Sequence, residues 1–112
     1  MNPNAHQSLN IWALPKAAEL RLVLLTMQET VSIGRLILDC AENPNRQALL
    51  LCDAQIEDLS AYLFTFGQSK ERYGLQLNYP ALSPGALPPY EPMEELTLKQ
   101  VIDQLCMHFE LV

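Results

Sequence analysis

Two stretches decide the fold: SAYLFTF at residues 60–66 and YGLQLNY at residues 73–79. In the first, Tyr62, Phe64 and Phe66 alternate with Ala61, Leu63 and Thr65. In the second, Tyr73, Leu75, Leu77 and Tyr79 alternate with Gly74, Gln76 and Asn78. Alternation with period two marks a strand with two unlike faces. With the six residues Gly67 to Arg72 as the turn, Phe66 faces Tyr73, Phe64 faces Leu75 and Tyr62 faces Leu77. Both stripes of large residues then share the core face of an antiparallel hairpin, and Thr65, Gln76 and Asn78 meet water. That register puts Phe64 in the core, where Phe64→Ala is expected to cost about 3–5 kcal/mol.

Upstream of the hairpin, Gln47–Asp53 and Thr30–Asp39 are also β-like, with Asn43-Pro44-Asn45 as a turn signal between them. In Thr30–Asp39 the apolar phase moves from Val31 and Ile33 to Leu36 and Leu38. This odd step at Gly34-Arg35 is the mark of a β-bulge. Leu14–Gln28 admits two readings. Pro15, Ala17, Ala18 and Glu19 suit a helix start, but Leu20, Leu22 and Leu24 alternate, which favours a strand from Glu19 onward.

Downstream, Pro80 to Pro92 holds five of the eight prolines together with Gly85. Proline lacks the backbone donor that a helix interior or a central strand requires, so the stretch reads as a connector. After it, Leu98, Val101, Ile102, Leu105 and Phe109 recur at helical spacing. Thr97 with Gln100 fits a capping box, and Leu96 with Val101 fits a hydrophobic staple. His108 lies in the last turn, where the helix dipole favours a cation.

The resulting expectation is an α+β fold: a four- or five-stranded, mainly antiparallel meander with a carboxy-terminal amphipathic helix packed on one face. Residues 1–10 read as a flexible arm and 11–112 as a single domain. Its β-rich part spans 19–79, its connector 80–92 and its helix 97–110. Trp12 beside Ile11 and Leu14 reads as a pin holding the arm to the domain, with an exposed anchor as the alternative.

Composition narrows the function classes. The 112 residues are 49% hydrophobic and 18% charged, enough for one core. Residues 1–10 contain no Lys or Arg and no long apolar run, so no signal peptide is expected and a cytoplasmic location follows by default. Thirteen acidic against seven basic residues give a net charge of −6. This disfavours nucleic acid and anionic membrane, both of which need a basic face. Cys40, Cys52 and Cys106 each lie in apolar surroundings and read as buried reduced thiols. With no Cys-x-x-Cys pair and only His6 and His108, no metal or other cofactor is expected.

No convergent catalytic set emerges. Cys106 and His108 stand two apart on a helix and point in different directions. Asp53, Glu57 and Asp58 lack the spacing of a calcium loop and read as turn residues. The leading expectation is therefore a non-enzymatic protein-interaction or regulatory module, with a protein partner or self-association covering the sheet. Its candidate surface is Lys70, Arg72 and Tyr73 in the hairpin turn, followed by Leu87, Pro88, Pro89 and Tyr90 in the proline-rich stretch. A second expectation is a small-ligand or minor enzymatic pocket between sheet and helix, built from Arg35, Tyr62 and Tyr79. A third is an acidic inhibitor or immunity protein that caps a basic partner.

Overall fold

Leucine at every second position builds the centre of the molecule. In the computed structural model, which describes residues 11–28, 34–39 and 45–111, five strands run as an antiparallel meander in sequence order. They are β1 (Leu36–Asp39), β2 (Ala48–Asp53), β3 (Ser60–Phe64), β4 (Tyr73–Asn78) and β5 (Tyr90–Leu96). Leu49, Leu63 and Leu75 lie side by side across β2, β3 and β4, as do Leu51, Ala61 and Leu77. All six are buried and form one hydrophobic cluster with the helices. The fold class is thus α+β, an open five-stranded antiparallel sheet with a carboxy-terminal helix against it.

The segment from Glu19 onward is not a strand. It forms α1 (Ala18–Thr26), preceded by a single 3-10 turn at Ile11–Ala13. Leu20, Val23, Leu24 and Met27 are buried, and their spacing of three and four residues is the helical signal that the alternation of leucines obscured. Leu22, the odd member of that alternation, is exposed. The carboxy-terminal helix α2 (Leu98–His108) packs against β4, β5 and α1. Its capping box is formed: Thr97 Oγ1 accepts the Gln100 amide at 3.2 Å, and Gln100 Oε1 accepts the Thr97 amide at 2.8 Å. Val101, Leu105 and Phe109 carry its apolar stripe into the core. Both helices thereby lie on one face of the sheet.

The hairpin register differs by one residue from the expectation. Tyr62 pairs with Gln76, Leu63 with Leu75 and Phe64 with Gly74. A one-residue slip reverses a strand's faces, so Leu63 and Ala61 turn inward while Tyr62 and Phe64 turn outward. Gly74 explains the choice. A Cβ there would stand 2.0 Å from the Phe64 ring, so only glycine leaves room for the ring to lie on the neighbouring strand. Thr30–Ile33 and Asn43-Pro44 lie outside the described residues, and of the anticipated bulge region the structure describes only Gly34, at φ +80°, and Arg35.

A strand also occupies the end of the proline-rich stretch. β5 runs from Tyr90 through Pro92 to Leu96 at the sheet edge, where a missing donor is tolerated. Between the pairs Tyr73–Leu96 and Leu75–Met93 it carries a bulge, with Glu95 at φ +58°. Residues of the 65–72 loop stitch this bulge. Gln68 Oε1 accepts the Glu95 amide at 2.7 Å, the Ser69 amide donates to Glu95 Oε1 at 2.8 Å, and Arg72 Nη1 donates to the Glu95 carbonyl at 3.4 Å.

Candidate functional surface: the outward face of the sheet

Because both helices occupy one side, the other side of the sheet is, among the described residues, left with its own side chains. The register fixes which they are. Ile37, Cys52, Ser60, Asn78 and Tyr90 form one row across the five strands. Asp39, Leu50, Tyr62, Gln76 and Pro92 form the next, and Ala48, Phe64 and Gly74 a third. Along β3 the aromatic residues stack into a ridge: ring centroids are 5.6 Å apart for Tyr62 and Phe64 and 4.7 Å for Phe64 and Phe66. Ile37 (54%), Phe66 (41%) and Tyr90 (63%) are the more exposed members of the surface.

The polar groups of this face satisfy one another. Gln76 Nε2 donates to Asn78 Oδ1 at 2.8 Å, and Asn78 Nδ2 donates to Ser60 Oγ at 3.1 Å. From β2 through β4, no outward position carries a charged side chain. In a chain with a net charge of −6 that is a selective distribution. Aromatic enrichment with charge depletion is the composition of the buried centre of protein–protein interfaces.

The residues expected to form a site are dispersed by the fold. Lys70 is exposed in the 65–72 loop, whereas Arg72 is engaged with the Glu95 carbonyl. Tyr73 belongs to the core rather than to a surface: it is 2% exposed and its hydroxyl donates to the Glu19 carbonyl at 3.0 Å. Burial, followed by the charges of Glu19 and Glu71, raises its pKa above the ordinary tyrosine value. Leu87, Pro88, Pro89 and Tyr90 are all exposed, and Tyr90 joins the outward row through its pairing with Asn78.

The proposed pocket trio is split as well. Tyr62 lies on the outward face. Arg35 is exposed, with its guanidinium donating to the Glu110 carbonyl at 3.4 Å, so the chain does not turn it inward. Tyr79 alone lines a cavity between sheet and helix, of about 290 Å³, with Leu77, Glu91, Gln104, Met107 and His108. Its hydroxyl donates to Glu91 Oε1 at 3.2 Å, and its ring meets His108 edge-on at 4.9 Å. Burial and the Glu91 partner raise the Tyr79 pKa. His108 Nε2 lies 2.7 Å from the Ser60 carbonyl; since a carbonyl only accepts, Nε2 carries a proton. Its Nδ1 is buried with no partner among the described residues.

Two other expectations change, and the reading of Asp53 as a turn residue holds. Trp12 does not pin the chain: it is 70% exposed, and its neighbour Ile11 takes the buried position. Cys52 and Cys106 are half-buried rather than fully buried, and Cys40 lies outside the described residues. Asp53 is used locally, its Oδ1 accepting the Gln55 and Ile56 amides at 2.7 and 2.8 Å.

The sequence pattern points Gln76 and Asn78 to water but places Tyr62, Phe64 and Phe66 of this face in the core, and so hides the surface. Gly74, the one small residue opposite the aromatic alternation, was the signal for the other register. Among the described residues, no helix is long and apolar enough to cross a membrane, and no group of three or more His, Cys, Asp or Glu is placed to hold a metal ion. Comparison with protein-family models, with curated proteins and with solved structures finds no match to this chain.

Proposed function

We propose that the chain is a non-enzymatic protein-interaction module whose docking surface is the outward face of its sheet. The observation that carries this reading is the uncharged aromatic surface of β2–β4, formed by Leu50, Tyr62, Phe64 and their neighbours, in an otherwise acidic chain. Tyrosine and phenylalanine at such a surface bury large areas at small cost in side-chain entropy, and the amide–hydroxyl chain of Gln76, Asn78 and Ser60 lowers the cost of desolvating the polar part. A photo-crosslinking amino acid placed singly at Phe66, Tyr90 or Lys70 in cells tests the location. Adducts from Phe66 and Tyr90 but not from Lys70 are expected; adducts from Lys70 alone, or from none of the three, contradict the reading.

A second reading, a small-ligand site, is favoured by the cavity lined by Tyr79, Glu91 and His108. Thermal-shift screening against metabolites addresses it. A ligand at a hundred times its dissociation constant adds about 2.7 kcal/mol, and Tyr79→Phe or Glu91→Gln reduces that shift if the cavity is the site.

A further inference from the structure

We infer that the cavity between α2 and the β4–β5 pair binds a small organic ammonium ion, a singly charged amine on a short apolar body. This rests on the small-ligand reading above and adds the class of the ligand.

Charge decides the sign of the ligand. Among the lining residues Glu91 brings the one carboxylate, and none is Lys or Arg. An anion would meet a like charge with nothing to offset it. A neutral apolar molecule would strip water from the carboxylate without replacing it. A metal ion needs more ligands than one carboxylate and one imidazole, and no group of three or more His, Cys, Asp or Glu is gathered among the described residues. A single positive charge answers Glu91.

The carboxylate is positioned but not used up. Glu91 pairs with Leu77 across β4 and β5, which puts it beside an apolar side chain on the face that α2 covers. The Tyr79 hydroxyl donates to its Oε1 at 3.2 Å, and its Oε2 has no partner among the described residues. Tyr79 is itself tied down, its amide donating to the Pro89 carbonyl at 3.0 Å just before β5.

The walls suit an ammonium ion. Tyr79 and His108 meet edge-on with ring centroids 4.9 Å apart, and His108 Nε2 is held by the Ser60 carbonyl at 2.7 Å. Rings already fixed by such contacts cost little to order around a ligand. A cation beside a carboxylate and a tyrosine ring gains from both the charge and the quadrupole of the ring. Leu77 and the Met107 thioether leave an apolar surface for the rest of the molecule. At about 290 Å³ the cavity stands at the lower end of small-molecule sites, about 300–1,000 Å³. Water takes about 30 Å³ in the liquid, so there is room for about ten non-hydrogen atoms. A molecule of that size binds at about millimolar strength.

An NMR titration of the labelled full chain with phenethylammonium chloride tests the assignment, with 2-phenylethanol and sodium phenylacetate as neutral and anionic probes of the same shape. At about pH 8 an alkylamine is charged and a histidine of ordinary pKa is neutral. Ionic strength is held at about 0.15 M to screen diffuse attraction to the acidic chain. Shifts are expected at Tyr79, Met107 and His108, with the ammonium probe bound about tenfold more tightly than the alcohol and no binding of phenylacetate. Glu91→Gln keeps an acceptor for the Tyr79 hydroxyl and removes the charge, and is expected to weaken the ammonium probe by about fivefold. Glu94→Gln removes an equal charge from β5 outside the cavity and is expected to leave binding within about twofold. The two-dimensional spectrum of each variant shows whether the fold is kept. An alcohol that binds as tightly as the amine, a preference for phenylacetate, or equal losses from the two Glu variants overturns the ammonium assignment while the cavity stands as a ligand site. No shift at Tyr79, Met107 and His108 from any of the three probes overturns the assignment and the small-ligand reading together.

Discussion

At the scale of single residues, the pairing of Phe64 with Gly74 sets the two faces of the sheet. A one-residue difference in register exchanges Ala61 and Leu63 with Tyr62 and Phe64, and both sets are apolar, so alternation alone cannot choose between them. The space over Gly74 chooses. Consequently Leu63→Ala is expected to cost about 2–5 kcal/mol, as a fully buried leucine does, and Phe64→Ala only about 1–2 kcal/mol, since Phe64 is half-buried. Chemical denaturation of the two variants checks the order; the reverse order would restore the register that the aromatic alternation suggests. Gly74→Ala is expected to destabilise the parent by about 1–3 kcal/mol and to be nearly neutral when Phe64 is also alanine, a coupling that a double-mutant cycle measures.

Tyr73 gives a pH dependence with a definite sign. Its folded-state pKa is raised above the unfolded value of 10.0, first by burial and then by Glu19 and Glu71. The unfolded chain therefore loses this proton first as pH rises past about 10, and the folded state loses stability from there upward until its own pKa is passed. Below that window the contribution is fully present. Tyr73→Phe is expected to lower stability at pH 7 by about 1 kcal/mol through the hydroxyl's lost bond to Glu19, and to flatten the alkaline decline. Denaturant midpoints between pH 8 and 11 measure both effects, and a variant whose decline matches the parent's would exclude Tyr73 as its source.

At the scale of elements, legibility followed the strength of the local signal. The α2 helix was readable because Thr97, Gln100 and the stripe Val101, Leu105, Phe109 agree with one another, and the structure forms both halves of the capping box. The α1 helix was hidden by Leu20, Leu22 and Leu24, which imitate a strand; Leu20, Val23 and Leu24 are the buried set. β5 was hidden by Pro92, which forbids a central strand but not an edge, and strand order is a property that no local pattern carries. The 65–72 loop drew notice for its cations, yet its part in the fold runs through Gln68, which accepts the Glu95 amide and donates to Glu94. Gln68→Ala is expected to cost about 1 kcal/mol and to speed hydrogen exchange at the Glu95 amide relative to the β2 amides. Unchanged exchange at Glu95 would remove Gln68 from that role.

For the whole molecule, the decisive asymmetry is between the two sides of the sheet. One side is closed by α1 and α2 over a leucine core; the other presents Ile37, Leu50, Tyr62, Phe64, Phe66 and Tyr90 around an uncharged amide–hydroxyl chain. An open antiparallel sheet ordinarily places polar and charged residues on its solvent side, so an aromatic surface there calls for a function. The candidate residues drawn from the turn and the proline-rich stretch meet this surface only at Tyr90. The reason is physical: a surface assembled from four or five strands exists only once the register is set, and the register turned on one glycine.

Two-dimensional NMR of the isotopically labelled chain is the most direct measurement, because it reads which face each side chain takes. Nuclear Overhauser contacts are expected between the Phe64 ring and the Gly74 α-protons and between the Leu63 and Leu75 methyl groups, with none from the Tyr62 and Phe64 rings to Val101 or Leu105. Contacts from those rings to Val101 or Leu105 would put them in the core and contradict the account.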